Sequence, residues 1–309
     1  MELEIPKDAK VIGIQVPDGL KPKVIEISKK LKSMGYEVII SGESCYGACD
    51  IDLNLLKIVD VLLHFAHTPI LNIDRVLYVP YTINYSIERV KDVIKSKIKC
   101  KRIALISIAQ YCHKLEDLKK SLEEEGYVVE LNKGSSRVKY PGQVLGCNYT
   151  ALRNSKAETI VFIGDGLFHA IGASIYTSRS VYAVNPLSLE VKEVNVSNFI
   201  KERYKLISMC VGLKKVGIIV SSKPGQCRLK LAKDLMIKAE KAELIPDIIY
   251  LNDVTPEKLL NLPYEFYVNT ACPRISYDDY KRFEKPIITP QEFEILIGER
   301  EEYAMDEIE

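Results

Sequence analysis

Val11-Ile-Gly-Ile-Gln-Val16 is a short uncharged run rich in β-branched residues, a composition that suits a parallel strand buried on both faces. The same kind of run returns at Arg102-Ile-Ala-Leu-Ile-Ser107 and at Lys215-Val-Gly-Ile-Ile-Val220. Each is followed by a loop and then by apolar residues at helical spacing: Val24, Ile27, Leu31 and Met34; Leu115, Leu118 and Leu122; Leu231 and Leu235. In the first copy Pro22 suits an initial helical turn and Gly35 a left-handed C-cap, after which Tyr36-Glu-Val-Ile-Ile40 reads as a second strand. Gly126-Tyr127 repeats that stop, whereas the third copy runs into its second strand, Ile245 to Leu251, without a glycine.

Strand–helix alternation repeated three times predicts an α/β fold built from three homologous small domains with parallel sheets, arranged around a pseudo-threefold axis. The expected boundaries are 1–99, 100–208 and 209–309, each about a hundred residues, a workable size for a small domain. Loops at the carboxyl ends of parallel strands are where such sheets build sites.

The bulk composition narrows the function classes. The 309 residues are 47% hydrophobic, enough to bury several cores, and 43 Lys and Arg nearly balance 42 Asp and Glu. No global basic field exists to hold nucleic acid or an anionic membrane. The opening Met1-Glu-Leu-Glu4 is charged, and Val11 to Val16 is too short for a signal-peptide core or a membrane span, so a soluble cytoplasmic protein is expected.

Eight cysteines in such a chain point to thiols or metal ligands rather than a disulfide framework. One cysteine in each repeat stands among small or turn-forming residues beyond the second strand: Tyr46-Gly-Ala-Cys49-Asp, Gly142-Gln-Val-Leu-Gly-Cys147-Asn and Asn269-Thr-Ala-Cys272-Pro-Arg, the third copy being compressed so that the strand Phe266-Tyr-Val268 leads directly into its cysteine. If the three loops meet at the axis, Cys49, Cys147 and Cys272 supply three thiolates to one [4Fe–4S] cluster and leave one iron open to substrate. The competing account is that they pack as small hydrophobes, as expected for Cys100, Cys112, Cys210 and Cys227. Cys45 reads as a neighbour rather than a ligand.

Taken together, Tyr46 to Asp50, Gly142 to Asn148 and Asn269 to Arg274 resemble the archaeal 2-(3-amino-3-carboxypropyl)histidine synthases, which begin diphthamide synthesis. Val16-Pro-Asp-Gly-Leu20, Gly164-Asp-Gly-Leu-Phe-His169 and Ser222-Lys-Pro-Gly-Gln226 extend the likeness over nearly the whole chain, leaving out only the acidic C-terminal tail. The resemblance implies that Cys49, Cys147 and Cys272 are the cluster ligands and that S-adenosyl-L-methionine binds at the open iron. It further implies cleavage of the Cγ–S bond, release of methylthioadenosine, and transfer of the 3-amino-3-carboxypropyl group to imidazole C2 of a histidine in translation elongation factor 2. An electron donor and a homodimer are implied as partners, with no direct role for nucleic acid or membrane.

Around the cysteines, Pro17-Asp18-Gly19 and Pro224-Gly225-Gln226 are turn-forming loops after first strands, suited to presenting backbone to the cofactor, with Asp18 and Gln226 as polar contacts. Simple strand-to-helix turns, with Asp18 as a cap, are the alternative. Asp165 and His169 stand where a strand leaves the sheet and can contact cofactor or target imidazole, or form a structural pair; His64 and His67 carry the same ambiguity. His113 is expected to be solvated, and Asp278-Asp279 to cap a helix or orient the substrate. The tail from Glu299 to Glu309 is expected to be solvated and without a role.

Two rival functions remain in view. Quinolinate synthase also looks like three α/β domains around a cluster with an open iron, used there as a Lewis acid. A non-catalytic partner subunit of a diphthamide synthase complex is the other; such a protein is expected to have lost ligand cysteines.

Overall fold

The structure is a computed structural model and describes residues 5–309; the charged start, Met1 to Glu4, lies outside the described residues. Three α/β units follow one another. The first comprises β1 (Val11–Gln15), α1 (Val24–Ser33), β2 (Glu37–Ile40), α2 (Leu53–Leu56), β3 (Val61–Phe65) and β4 (Val76–Val79). The second has α3 (Ile87–Lys97), β5 (Arg102–Ser107), α4 (Leu115–Glu123), β6 (Val128–Glu130), β7 (Thr159–Ile163), α5 (Phe168–Thr177), β8 (Ser180–Val184) and β9 (Val191–Glu193). The third has α6 (Ser197–Met209), β10 (Lys215–Ser221), α7 (Leu229–Lys241), β11 (Ile245–Leu251), α8 (Pro256–Leu260), β12 (Phe266–Asn269), α9 (Pro273–Tyr277), β13 (Ile287–Ile288) and α10 (Pro290–Leu296).

The sheets share one plan: β2-β1-β3-β4, β6-β5-β7-β8-β9 and β11-β10-β12-β13. Every pairing is parallel except β8 with β9, an antiparallel edge that the parallel-sheet expectation omitted. Each sheet is buried on both faces, and the alternation of a strand sorts its side chains between two cores. Val61 and Leu63 pack toward α1 while Leu62 packs toward α2. Ile103 and Leu105 divide in the same way from Ala104 and Ile106. The third residue of each first strand is small (Gly13, Ala104, Gly217), and a methyl group at Gly217 would lie 2.5 Å from Ile249 and 2.8 Å from Tyr267.

Helix stops follow the turn chemistry. Gly35 and Gly126 take left-handed φ values of 94° and 78° after α1 and α4. In the third copy Glu243 occupies that conformation at φ 59°, so the geometry persists there without glycine.

Packing crosses the limits drawn at 99/100 and 208/209. Val90 and Ile94 of α3 join the second unit's core with Ile103 and Leu118. Leu206 of α6 and Cys210 just beyond it join the third unit's core with Val216 and Phe293. In both cases the helix before a first strand packs on the sheet that strand begins.

The C-terminal tail departs from expectation. Met305, Asp306 and Ile308 are buried, because the carboxylate of Asp306 meets Arg228 (Nη1 to Oδ1 2.7 Å) and the amide of Ile308 donates to the carbonyl of Cys147 at 2.7 Å. The tail therefore ties the third unit to the second. Among the described residues, no helix is long and apolar enough to cross a membrane.

Candidate metal centre

The carboxyl ends of strands from all three units open on one cavity of about 240 Å³, lined by Cys49, Cys147 and Cys272 together with His67, Arg137, His169 and others. The three cysteines do not occupy equivalent positions. Cys49 and Cys147 lie beyond the second strands, β2 and β6, whereas Cys272 follows the third strand, β12, as the N-cap of α9. The expectation of matching repeat positions is thus corrected for Cys272, which follows its strand directly as the compressed third copy implied. The loops after β1, β2 and β3 type strands all leave the same end of a parallel sheet, so either loop can reach the centre.

Each cysteine turn is held by backbone hydrogen bonds or side chains of its own unit, and Cys49 and Cys147 are also held by the third unit. The Cys49 turn closes through Asp50 N–H to Gly47 O (3.0 Å), and Asp50 meets Lys223 of the third unit at 2.7 Å. Gly225 donates its amide to Cys49 O (3.1 Å), and Gln226 Nε2 donates to Cys49 Sγ (3.2 Å). Cys147 sits in the turn closed by reciprocal bonds between Leu145 and Asn148, at 2.9 and 3.1 Å. Before Cys272, Asn269 accepts from Ala271 N–H and donates to Cys272 O, both at 2.9 Å, while Arg228 Nε donates to Thr270 O at 2.7 Å.

Burial pushes all three thiols up: Cys49 upward, Cys147 to about 11 and Cys272 to about 12, the last also because the other two thiols stand near it. Arg137 works against this at Cys49 and Cys147. Sequence reasoning missed Arg137. It is 8% exposed, its Nη2 donates to Gly225 O at 3.2 Å, its Nε has no hydrogen-bond partner, and among the described residues no carboxylate pairs with it. A buried cation without an anion is costly. Three thiolates on a metal cluster would supply the missing negative charge, so the donor set fits an iron–sulfur centre.

The other expected contacts divide. Gly225 and Gln226 are buried against Cys49, with Pro224 beginning their turn. His169 lines the cavity, its ring stacked on Phe162 at 5.7 Å. Pro17, Asp18 and Gly19 do not line it: Asp18 is exposed in a 3₁₀ turn, paired with Lys21 at 2.7 Å, and caps no helix. Asp165 is likewise exposed and outside the cavity wall. Asp278 and Asp279 pair with Arg274 and Arg282 and line a second cavity of about 280 Å³, which shares Tyr46, Cys272 and Arg274 with the first. Cys45, set aside from the sequence, is buried beside His64 and His67, whose ligand atoms all lie within 4.8 Å of its sulfur and of one another. Cys112 and Cys210 pack in cores, Cys227 is exposed, and His113 is exposed as expected.

Residues 16–308 match the family model described as "Putative diphthamide synthesis protein". This chain belongs to that diphthamide synthesis family. The match takes in the C-terminal tail, correcting its exclusion from the likeness. The chain is 38% identical over 316 residues to the 2-(3-amino-3-carboxypropyl)histidine synthase of Pyrococcus horikoshii, covering 99% of this chain and 92% of that protein. A synthase of the same name from Methanocaldococcus jannaschii is 30% identical, over 95% and 86% of the two chains. The subunit 1 of the Saccharomyces cerevisiae synthase is also 30% identical, over 94% and 71%. The fold superimposes on the crystal structure of Dph2 from Pyrococcus horikoshii with a 4Fe-4S cluster at a TM-score of 0.93, with 38% identity and 97% and 90% coverage.

Proposed function

We propose that this family member is a 2-(3-amino-3-carboxypropyl)histidine synthase that carries out the first step of diphthamide synthesis. It transfers the 3-amino-3-carboxypropyl group of S-adenosyl-L-methionine to imidazole C2 of a histidine in translation elongation factor 2. The observation that carries this reading is the meeting of Cys49, Cys147 and Cys272, one from each unit, in one cavity beside the unpaired Arg137.

Those cysteines would hold a [4Fe–4S] cluster, which when bound supplies the electron that opens the Cγ–S bond of the sulfonium at an iron free of protein ligand. The chain's own part is positioning. Arg137 offsets negative charge at Cys49 and Cys147, and Gln226 donates to the Cys49 sulfur, both of which favour the deprotonated ligand. Apolar walls from Ala48, Ala66, Ile70, Ile108 and Val144 keep water from the reacting carbon. A homodimer and a separate one-electron donor complete the proposal.

The test is anaerobic reconstitution with iron and sulfide, reduction by dithionite, and analysis of the nucleoside released from S-adenosyl-L-methionine. Methylthioadenosine is expected; deoxyadenosine as main product, or no cleavage by a cluster-loaded protein, would sink the assignment.

A further inference from the structure

A chain of hydrogen bonds runs from the first sheet to the central cavity and uses none of the cluster cysteines. It begins at Gln15, the last residue of β1 and 1% exposed. Its Nε2 donates to Asp50 O (2.8 Å) and its Oε1 accepts from Asp52 N–H (3.2 Å). A carbonyl only accepts and an amide N–H only donates, so the side-chain amide of Gln15 cannot be flipped. His64 Nδ1 lies 2.9 Å from that same Oε1, so it must carry the proton. His64 Nε2 lies 2.8 Å from His67 Nδ1, so on a neutral His64 it accepts, and His67 must carry its proton on Nδ1. Burial lowers His64 to about 3, with His67 adding to the effect, and lowers His67 to about 4, so both rings are neutral at physiological pH. The remaining nitrogen, Nε2 of His67, has no hydrogen-bond partner among the described residues, and the His67 ring lines the cavity with the three cysteines.

The proposed transfer needs such a group. One Cγ–S bond and one imidazole C2–H bond break, and one C2–Cγ bond forms. The products are the thioether methylthioadenosine, the substituted imidazole and one proton, with no net electron consumed. That proton has to leave from inside the cavity. We propose that His67 Nε2 accepts the proton lost from C2 of the target imidazole, with His64 and Gln15 as positioning residues that hold it in the accepting tautomer. The inference rests on the synthase reading of the site. The nearness of Cys45 to the two histidines suggests a metal ion instead, but the 2.8 Å bond already uses both facing nitrogens and leaves no ion required between them.

The test compares cluster-loaded wild type with His67→Gln and His64→Gln, using elongation factor 2 whose histidines carry deuterium at C2. Alkylated product formed per methylthioadenosine released is expected to fall about a hundredfold in His67→Gln, the usual weight of a general base. A primary isotope effect on product formation, absent from wild type, is expected in both variants. Nitrogen NMR of the full chain labelled at its histidines should show His67 protonated on Nδ1 alone at neutral pH, a readout independent of turnover. Unchanged coupling without an isotope effect in His67→Gln, or a proton on Nε2 of wild-type His67, would overturn the proposal. So would uptake of one zinc ion per cluster-loaded chain from zinc chloride that both variants lose. Absence of methylthioadenosine from wild type would instead defeat the synthase reading itself.

Discussion

Gln226 of the third unit donates a 3.2 Å hydrogen bond to the sulfur of Cys49 in the first, and the residue before it, Gly225, lies against the Cys49 backbone. Two units separated in sequence by one whole intervening unit and its sheet are thus joined at a metal-ligand candidate. The joint depends on the missing side chain of Gly225.

A methyl group at Gly225 would lie 2.5 Å from both Cα and Cβ of Cys49. These are backbone-fixed atoms, so Gly225→Ala must push the two loops apart, at about 1–3 kcal/mol for an overpacked site. Iron bound per chain after reconstitution is expected to fall well below wild type while the circular dichroism spectrum is retained. Full iron loading in this variant would show that the Cys49 loop is not set by that contact.

Replacing Cys49, Cys147 or Cys272 singly with serine should reduce iron content and abolish methylthioadenosine release, because two remaining thiolates cannot complete the ligand set. Cys227→Ser is the control: Cys227 is adjacent in sequence to Gln226 but exposed, and its loss should leave iron content unchanged. An effect of equal size in the control would point to general oxidation rather than ligation.

Asp306 is fully buried and holds Arg228, which in turn caps the Thr270 carbonyl two residues before Cys272. Breaking a buried pair by removing one partner typically costs about 3 kcal/mol or more. Asp306→Ala is therefore expected to lower the urea midpoint markedly, whereas Glu301→Ala, at an exposed position of the same tail, should change it little. Equal midpoints for the two variants would return the tail to the solvated role expected of charged chain ends.

Acid should destabilise the fold through the buried histidines. His64 and His67 have folded-state pKa values lowered to about 3 and about 4, below the ordinary 6.5. Below pH 6.5 the unfolded chain takes up protons that the folded chain refuses, so this stability is complete above pH 6.5 and is lost as pH falls toward 4. The slope is about 1.4 kcal/mol per pH unit for each histidine. Chemical unfolding at pH 7, 6 and 5 should show it, and His64→Gln should flatten the dependence.

Much of the site is visible before folding is considered, and the parts that are not share a cause. The cysteine-bearing turns stand out because glycine, alanine, asparagine and proline mark loops locally. Arg137 carries no such mark: its role comes from sitting uncompensated beside Gly225 of the third unit, Cys49 of the first and Cys147 of its own. The same holds for Cys45, which is unremarkable until His64 and His67 fold beside it. Asp18 shows the opposite case, since a proline–glycine turn of the same kind as Pro224-Gly225 belongs to an exposed 3₁₀ start away from the cavity.

By itself the sequence determined three α/β units, the strand–helix–strand opening of each, the glycine stops at Gly35 and Gly126, and one loop cysteine for each unit. These are properties of periodicity and turn chemistry, which act between residues a few positions apart. Only the tertiary structure decided that the three cysteine loops share one cavity, and that α3 and α6 pack on the units that follow them. It also decided that the tail is built in beside Cys147, and that Gln15 sets the proton position on His67. Those outcomes depend on which surfaces meet across a hundred residues or more of chain, and contact at that range leaves no pattern in the neighbouring sequence.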